Sequence, residues 1–338
     1  MAASIADPHY SVYIVSGGTK YNITSLLTEL NMNESRNQIA QSATIRFMNV
    51  WMSGNWLSAS IKVRDRVFIY ANDGSRNAEV FRGFIWTRDY NSALTEREIT
   101  LKCYDNLIYL QESQASEFFA SGKSTKDIIS TICDEWGINL EYDYESITHT
   151  KLALRGDLAD ILTTDILDLV KAQTGKKYVL LSDQDTMHIK TIGTNSALYK
   201  IAAGGNAVST VSTTTMDGTT TKVVILGKAD KEDRRPVEAT VTKNTDEYGT
   251  LQKIINRDKD TTIEEAKEEA NNILKDEAQP KQTYEVVAPD IPWIRKGDKV
   301  LVNAGDIQNR TLIVTALSRA ITAKSKHLEL TLADEGEA

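Results

Sequence analysis

The chain has 338 residues, 41% of them hydrophobic and 25% charged, with two cysteines and a formal net charge of -8. That length predicts about two to four domains with real cores, and the acidic balance argues against nucleic acid held on a basic surface. Two thiols, no basic leader ahead of an apolar stretch, and no apolar run near the roughly 20 residues of a bilayer span predict a cytoplasmic product. Disulfides, a secretion signal and a membrane anchor are not expected.

Residues 10–15 alternate apolar and polar with period two, and Ser16-Gly17-Gly18-Thr19 supplies the positive φ angles of a tight hairpin. Residues 21–27 are predicted to return, and a strand at 43–47 follows. An apolar loop over residues 50–57 then carries Trp51 and Trp56. Strands at 63–69, 81–88 and 98–101, with Asn72-Asp73-Gly74 as a turn, complete an all-β unit over residues 1–106. Short strands of this kind close most simply into a small barrel.

The texture then becomes helical. Ser124 and Asp127 are spaced as a capping pair ahead of Ile128, Ile129, Ile132 and Trp136, and Gly137 ends the helix. A second helix opens at Asp157 and runs to Gly175 with Leu158, Ile161, Leu162, Ile166, Leu169 and Val170 at helical spacing. Strands at 178–181 and 187–192 flank Ser182-Asp183-Gln184-Asp185 as a hairpin. Residues 107–195 thus read as a small α+β domain.

From Ala197 the chain is rich in Thr, Ser, Gly and Val. Strands at 208–215 and 221–226 about Met216-Asp217-Gly218 are expected to pair as the opening hairpin of a second barrel, residues 196–235 with 283–338. A charged linker, residues 228–235, leads to an insertion over 236–282. There, strands at 237–242 and 250–255 flank a turn near Asp246. A helix follows, with Thr261 and Glu264 as a capping box and Ile263, Ala266, Ala270, Ile273 and Leu274 on one face. The fold class is therefore mixed and mainly β with α+β: two similar small β-barrels, an intervening α+β domain, and a helical and hairpin insertion in the second barrel.

The two barrels are called similar because their closing strands read alike. Arg64-Asp65-Arg66-Val67 matches Gly297-Asp298-Lys299-Val300, Arg88 matches Arg319, Leu101 matches Leu332, and Asp105 and Asp334 follow. The second and third segments align at an offset of 231 and the first needs two residues more. Any two meanders alternate, but here acidic, basic and apolar classes agree as well, which favours a shared architecture.

Chemistry has no anchor in this sequence. Ser121-Gly122-Lys123-Ser124-Thr125 resembles the tail of a phosphate loop, but Glu117 stands where that loop needs glycine. His9, His149, His188 and His327 lie in four separate regions without zinc-helix spacing, and no nucleophile elbow occurs. The Glu264, Glu265, Glu268 and Glu269 run fits a solvated helix face. No catalytic residue, metal or cofactor is expected. Trp51 and Trp56 are candidate interface anchors, with the alternative that they fold back over the barrel end. Trp293, in an extended proline-bounded entry to the second copy, is a third candidate.

The domain order, together with Tyr248-Gly249-Thr250-Leu251-Gln252, the Ala- and Glu-rich helix after it and the strand at residues 294–300, resembles the hub proteins of contractile-tail baseplates. The similarity is to the PBSX-like prophage hub family, which has relatives in phages and phage-tail-like bacteriocins and is related to phage late control protein D. The resemblance implies a homotrimer whose six barrels form a pseudo-sixfold ring, adapting a hexameric tail tube to a trimeric central spike. It also implies contacts with other baseplate proteins, residence in a released bacterial particle, a lumen through which DNA can pass without specific binding, and no enzymatic turnover. The alternative is a tail-associated peptidoglycan- or sugar-binding hydrolase, which requires converging carboxylates in a cleft.

Overall fold

The structure, a computed structural model, describes residues 7–92, 97–229, 234–257 and 262–337. These divide into two compact units, one comprising Met1–Thr210 with Glu285–Leu332 and the other Val211–Tyr284 with the residues from Ala333 onward. The expected capping residue Thr261 and part of the charged linker lie outside the described residues.

The first unit opens with β1 (His9–Ser16) and β2 (Thr19–Asn22), joined through the Gly17-Gly18 turn at φ +55 and +80. The expected return to residue 27 stops short. Thr24 Oγ1 accepts from Val12 N at 2.9 Å and Asn22 Oδ1 accepts from Thr24 N at 3.0 Å, turning the chain into a 3-10 bend at Thr24–Leu26. An unforeseen strand follows, β3 (Leu27–Glu34), and then β4 (Ser42–Met48). A small hairpin, β5 (Trp51–Met52) and β6 (Asn55–Trp56), leads through a single turn, α1 (Leu57–Ser60), to the meander β7 (Arg66–Asn72), β8 (Asn77–Ser92) and β9 (Arg97–Tyr104). The ladder runs β2-β1-β7-β8-β9-β4-β3. Alternate residues of these strands enter one core, including Val12, Ile14, Leu30, Met32, Ile45, Phe47, Val67, Ile69, Ile85, Ile99 and Leu101. Strands that share a single core roll their sheet around it.

A second core belongs to α2 (Ile108–Gln111), β10 (Gln114–Phe119), α3 (Thr125–Glu135), β11 (Asn139–Asp143) and β12 (Leu152–Asp157), then α4 (Leu158–Asp160). That helix passes through a π-helical stretch, Ile161–Leu167, into α5 (Asp168–Thr174), which ends at Gly175 with φ +70. Ser124 Oγ accepts from Asp127 N at 3.1 Å, the cap expected for α3. The hairpin β13 (Tyr178–Asp183) and β14 (Thr186–Thr191) forms, and β11 joins β14 in parallel.

Next come β15 (Tyr199–Ala202) and β16 (Ser209–Thr215), which runs on into the second unit. The second unit contains β17 (Lys222–Leu226), flanked by antiparallel β18 (Val237–Thr242) and parallel β19 (Gln252–Asn256), with a short α6 (Thr245–Tyr248) between them. Over that sheet lies α7 (Ile263–Glu277), packing Ala266, Ala270 and Leu274 with Val223 and Ile225. Its capping box is Thr262 with Glu265, one residue later than expected: Thr262 Oγ1 accepts from Glu265 N at 3.2 Å and Glu265 Oε2 accepts from Thr262 N at 2.7 Å.

The chain returns to the first unit along β20 (Lys281–Pro289), followed by β21 (Lys299–Ala304), β22 (Ile307–Thr322) and β23 (Lys326–Ala333). The expected 208–226 hairpin is absent. The turn itself forms, with Gly218 at φ +73 and Thr219 N donating to Met216 O at 3.0 Å, but β16 pairs with β20 while β17 pairs with β18 and β19. A local turn signal fixes chain direction and leaves the choice of strand partner to non-local packing.

Candidate functional site

Among the described residues no group of three or more His, Cys, Asp or Glu is placed to hold a metal ion. His149 is buried and engages the Thr125 hydroxyl at 2.8 Å, while His188 faces Glu141 at 3.0 Å across β11 and β14. Cys103 and Cys133 are buried free thiols; burial pushes both up, Cys133 to about 12, which suppresses the reactive thiolate. A polar cavity of about 460 Å³ in the first unit is walled by Arg76, Asp143, His188, Lys190, Trp293 and Arg295, charges of both signs.

The tryptophans separate into two settings. Trp51 and Trp56 face each other across the β5–β6 hairpin, ring centroids 5.9 Å apart and edge to face, with 62% and 37% exposure. The hairpin is held rigidly from below: Asn49 Nδ2 donates to Ser58 Oγ at 3.0 Å, Ser58 N donates to Asn49 Oδ1 at 2.9 Å, and Leu57 is fully buried. The Arg97 guanidinium stands 5.4 Å from the Trp56 ring. The two rings are thus pre-ordered and partly open to solvent. Trp293 sits elsewhere, half-buried against the first core, with Nε1 donating to Asp73 Oδ2 at 2.6 Å and Arg76 stacked 4.2 Å above its ring. That N–H and the Arg76 backbone hold the Asp73 carboxyl well below the usual range. Trp293 therefore ties the entry of the second copy to the β7–β8 turn.

The feature that organises the large sheet is a repeated strand order. β3-β4-β9-β8-β7 recurs position for position as β16-β20-β23-β22-β21. Both middle strands, β8 and β22, are 16 residues long, and the strand ahead of each, β7 or β21, is entered through the same turn. Arg64 N donates to Ile85 O at 2.7 Å and Ile85 N to Asp65 O at 2.9 Å; Gly297 N donates to Val314 O and Val314 N to Asp298 O, each at 2.8 Å. The aspartate side chains accept from the amide three residues back, Lys62 N at 2.6 Å and Arg295 N at 2.9 Å. Arg64 and Gly297 take the same left-handed conformation, φ +70 and +87. Arg88 donates to the Ser58 carbonyl and Arg319 to the Ile291 carbonyl at 3.3 Å, each acceptor seven residues ahead of its aspartate.

The expected offset holds at the turn and fails at the third strand. β9 and β23 stand 229 residues apart at both ends, so Leu101 matches Leu330 rather than Leu332. The first copy is longer in part because its β7–β8 turn spans residues 73–76, where the second has only Gly305 and Asp306.

The two copies meet edge to edge. Leu317–Thr322 of β22 pairs antiparallel with Glu34–Glu29 of β3. The joint is pinned by charge: Glu34, 3% exposed, accepts from Arg295 Nε and from Lys296 N at 2.8 Å. Burial alone would raise the Glu34 pKa, but Arg295, Arg319 and the Lys296 amide hold it below the ordinary value. Arg319 lies buried beside Asp290 at 3.2 Å, and Asp290 also accepts from the Tyr10 hydroxyl. None of this network was visible as a site in the sequence, because Glu34 joins Arg295 and Arg319 only across the β3–β22 ladder.

A family model described as YQBQ-like matches residues 30–333. The chain belongs to the YQBQ-like family. No curated protein sequence matches it. In fold, this YQBQ-like chain is similar to the tail protein from Neisseria meningitidis MC58, with TM-score 0.71 and 13% identity over 97% of this chain and 99% of that one. The prophage MuSo2 43 kDa tail protein from Shewanella oneidensis gives TM-score 0.68 and 14% identity over 97% and 98% of the respective chains. An E. coli component of the type VI secretion system, itself described as structurally similar to the T4 tail proteins gp27 and gp5, gives TM-score 0.57 and 8% identity over 91% of this chain and 73% of that one. Its structural neighbours are thus phage tail and type VI secretion proteins. No helix among the described residues is long and apolar enough to cross a membrane.

Proposed function

We propose that this chain is a structural baseplate hub of a contractile phage tail or phage-tail-like bacteriocin. Three copies form a ring with six similar lobes, which seats a hexameric tail tube on one side and a trimeric central spike on the other. The observation that carries this reading is the strand order present twice and joined by the β3–β22 ladder. One chain with two like lobes lets a threefold assembly offer six like seats. In this reading the lobes, β3-β4-β9-β8-β7 and β16-β20-β23-β22-β21, stand for the two barrels expected for residues 1–106 and for 196–235 with 283–338, except that β17 pairs with β18 and β19 of the insertion instead. The α+β domain at 107–195 and the insertion at 236–282 occur once per chain and give the ring its threefold face. The net charge of -8 suits a lumen through which DNA passes without sticking.

Trp51 and Trp56 are the partner-facing anchors in this reading, and Trp293 is retained as a lesser candidate beside the turn it braces. Neighbouring tail and secretion proteins with the same fold support a structural role without turnover. The test is electron microscopy of the purified chain mixed with its tail tube protein. A threefold ring with six lobes capping the tube supports the proposal; a compact particle that leaves the tube end bare contradicts it. Clearing of a peptidoglycan zymogram by the pure chain would favour the hydrolase instead.

A further inference from the structure

Each lobe offers a strand edge whose counterpart in the other lobe is occupied. In the second copy, the β22 edge beyond Val314 is filled by β3 at Leu317–Thr322. In the first copy, the same side of β8 is satisfied by β7 and the Asp65 turn only as far as Ile85, and among the described residues no strand follows along it. Conversely, β3 has a partner on both edges, β4 and β22, whereas its positional equivalent β16 pairs among the described residues with β20 alone and ends the strand order. The two open edges are therefore the two halves of the joint that the chain already makes once within itself.

We infer that a second copy of this chain adds its β16 to the open half of β8, an antiparallel ladder that repeats the β3–β22 joint between molecules. The inference rests on the ring reading above and names the edges that build it. The chemistry of both edges suits pairing. β16 reads Ser-Thr-Val-Ser-Thr-Thr-Thr, β-favouring and without the charge or proline that guards a solvent-facing edge. Val211 is 51% exposed, and on β8 Trp86 and Tyr90 are 41% and 42% exposed, apolar surface along the two edges. The β3–β22 ladder joins six residue pairs, which sets the expected size of the intermolecular one. Because the joint uses different patches on its two sides, it is head-to-tail and closes into a ring when the rotation allows. With inner and outer joints alike, three chains close six of them.

The test is cysteine cross-linking of the full chain, with Asp89→Cys combined in turn with Val211→Cys, Ser212→Cys and Thr213→Cys; native Cys103 and Cys133 are buried and stay silent. Mild oxidation is expected to give covalent dimer and trimer, with nothing larger, for at least one pair. Hydrogen exchange on the unmodified chain gives a second readout. Amides of residues 87–90 and 210–214 should slow by about tenfold or more as oligomer forms, since ladder amides open only with the joint. An oligomer that forms without cross-links and without this protection overturns the edge assignment and leaves the ring reading standing. A chain that stays monomeric and uncross-linked at the highest soluble concentration, with and without tube protein, overturns both.

Discussion

Arg319→Met should be among the most damaging single substitutions in the first unit. The Asp290 side chain has no exposed surface and that of Arg319 only 2%, and their ion pair at 3.2 Å is supplemented by the Tyr10 hydroxyl. Removing one partner of a buried pair leaves the other charge uncompensated, a loss of about 3–5 kcal/mol. The counterpart Arg88→Met removes a half-buried hydrogen bond to the Ser58 carbonyl with no buried carboxylate behind it, so about 1 kcal/mol is expected. Burial already raises the Asp290 pKa, and Arg319 opposes that rise. Without the arginine the folded-state pKa climbs further above the unfolded value, so the penalty is full at alkaline pH and shrinks as acidification protonates the carboxyl. Urea unfolding followed by tryptophan fluorescence at pH 8 and pH 5 should show the Arg319→Met deficit falling toward pH 5. Adding Asp290→Asn should recover about 1–3 kcal/mol at pH 8. A deficit below about 1 kcal/mol that ignores pH, or one equal to that of Arg88→Met, would refute the reasoning.

The equivalence of the two turns makes opposite demands on one position. Gly297→Ala, at φ +87 with a Cβ that would meet Val179 Cγ1 at 2.6 Å, should lose about 2 kcal/mol or more. Arg64→Gly, relieving the left-handed φ of +70 at the matching site, should gain about 0.5–1 kcal/mol in the same denaturation assay. Asp105 is buried and accepts amides of Gln41 and Leu107 at 2.9 and 3.0 Å; burial dominates and pushes its pKa up to about 7. Stability from this group should therefore be highest below the unfolded value and decline up to about pH 7, and a carboxyl carbon titration by NMR should show a midpoint near 7, with a midpoint near 4 refuting burial as the cause. Trp51→Ala should change stability by less than about 1 kcal/mol, because the pair is exposed, yet weaken partner binding by about tenfold or more in a pull-down titration. Thr262→Ala removes half of the capping box and should cost about 1 kcal/mol, seen as faster amide exchange at the start of α7.

The repeat was legible because each copy is written in local terms: an aspartate that closes a turn, alternation into a core, and an arginine on the long strand. Its register was less so, since turn lengths differ between copies and slide Leu101 onto Leu330. Pairing partners stayed hidden. Met216-Asp217-Gly218 is a true turn, and nothing in the residues on either side says that β16 and β17 belong to different sheets. β3 was not legible as a separate strand because its partner β22 lies almost 300 residues on, beyond the reach of any local signal. The tryptophans were recognisable as unusual, but only the fold separates the exposed Trp51 and Trp56 from Trp293, whose N–H is committed to Asp73.

Native mass measurement of the assembled protein puts the duplicated-lobe ring at greatest risk. Three chains of 37.6 kDa, resisting dilution and splitting when β16 is broken by Val211→Pro, are the expected result. A stable dimer or tetramer would contradict it, whereas a trimer indifferent to that proline would overturn only the β16 edge.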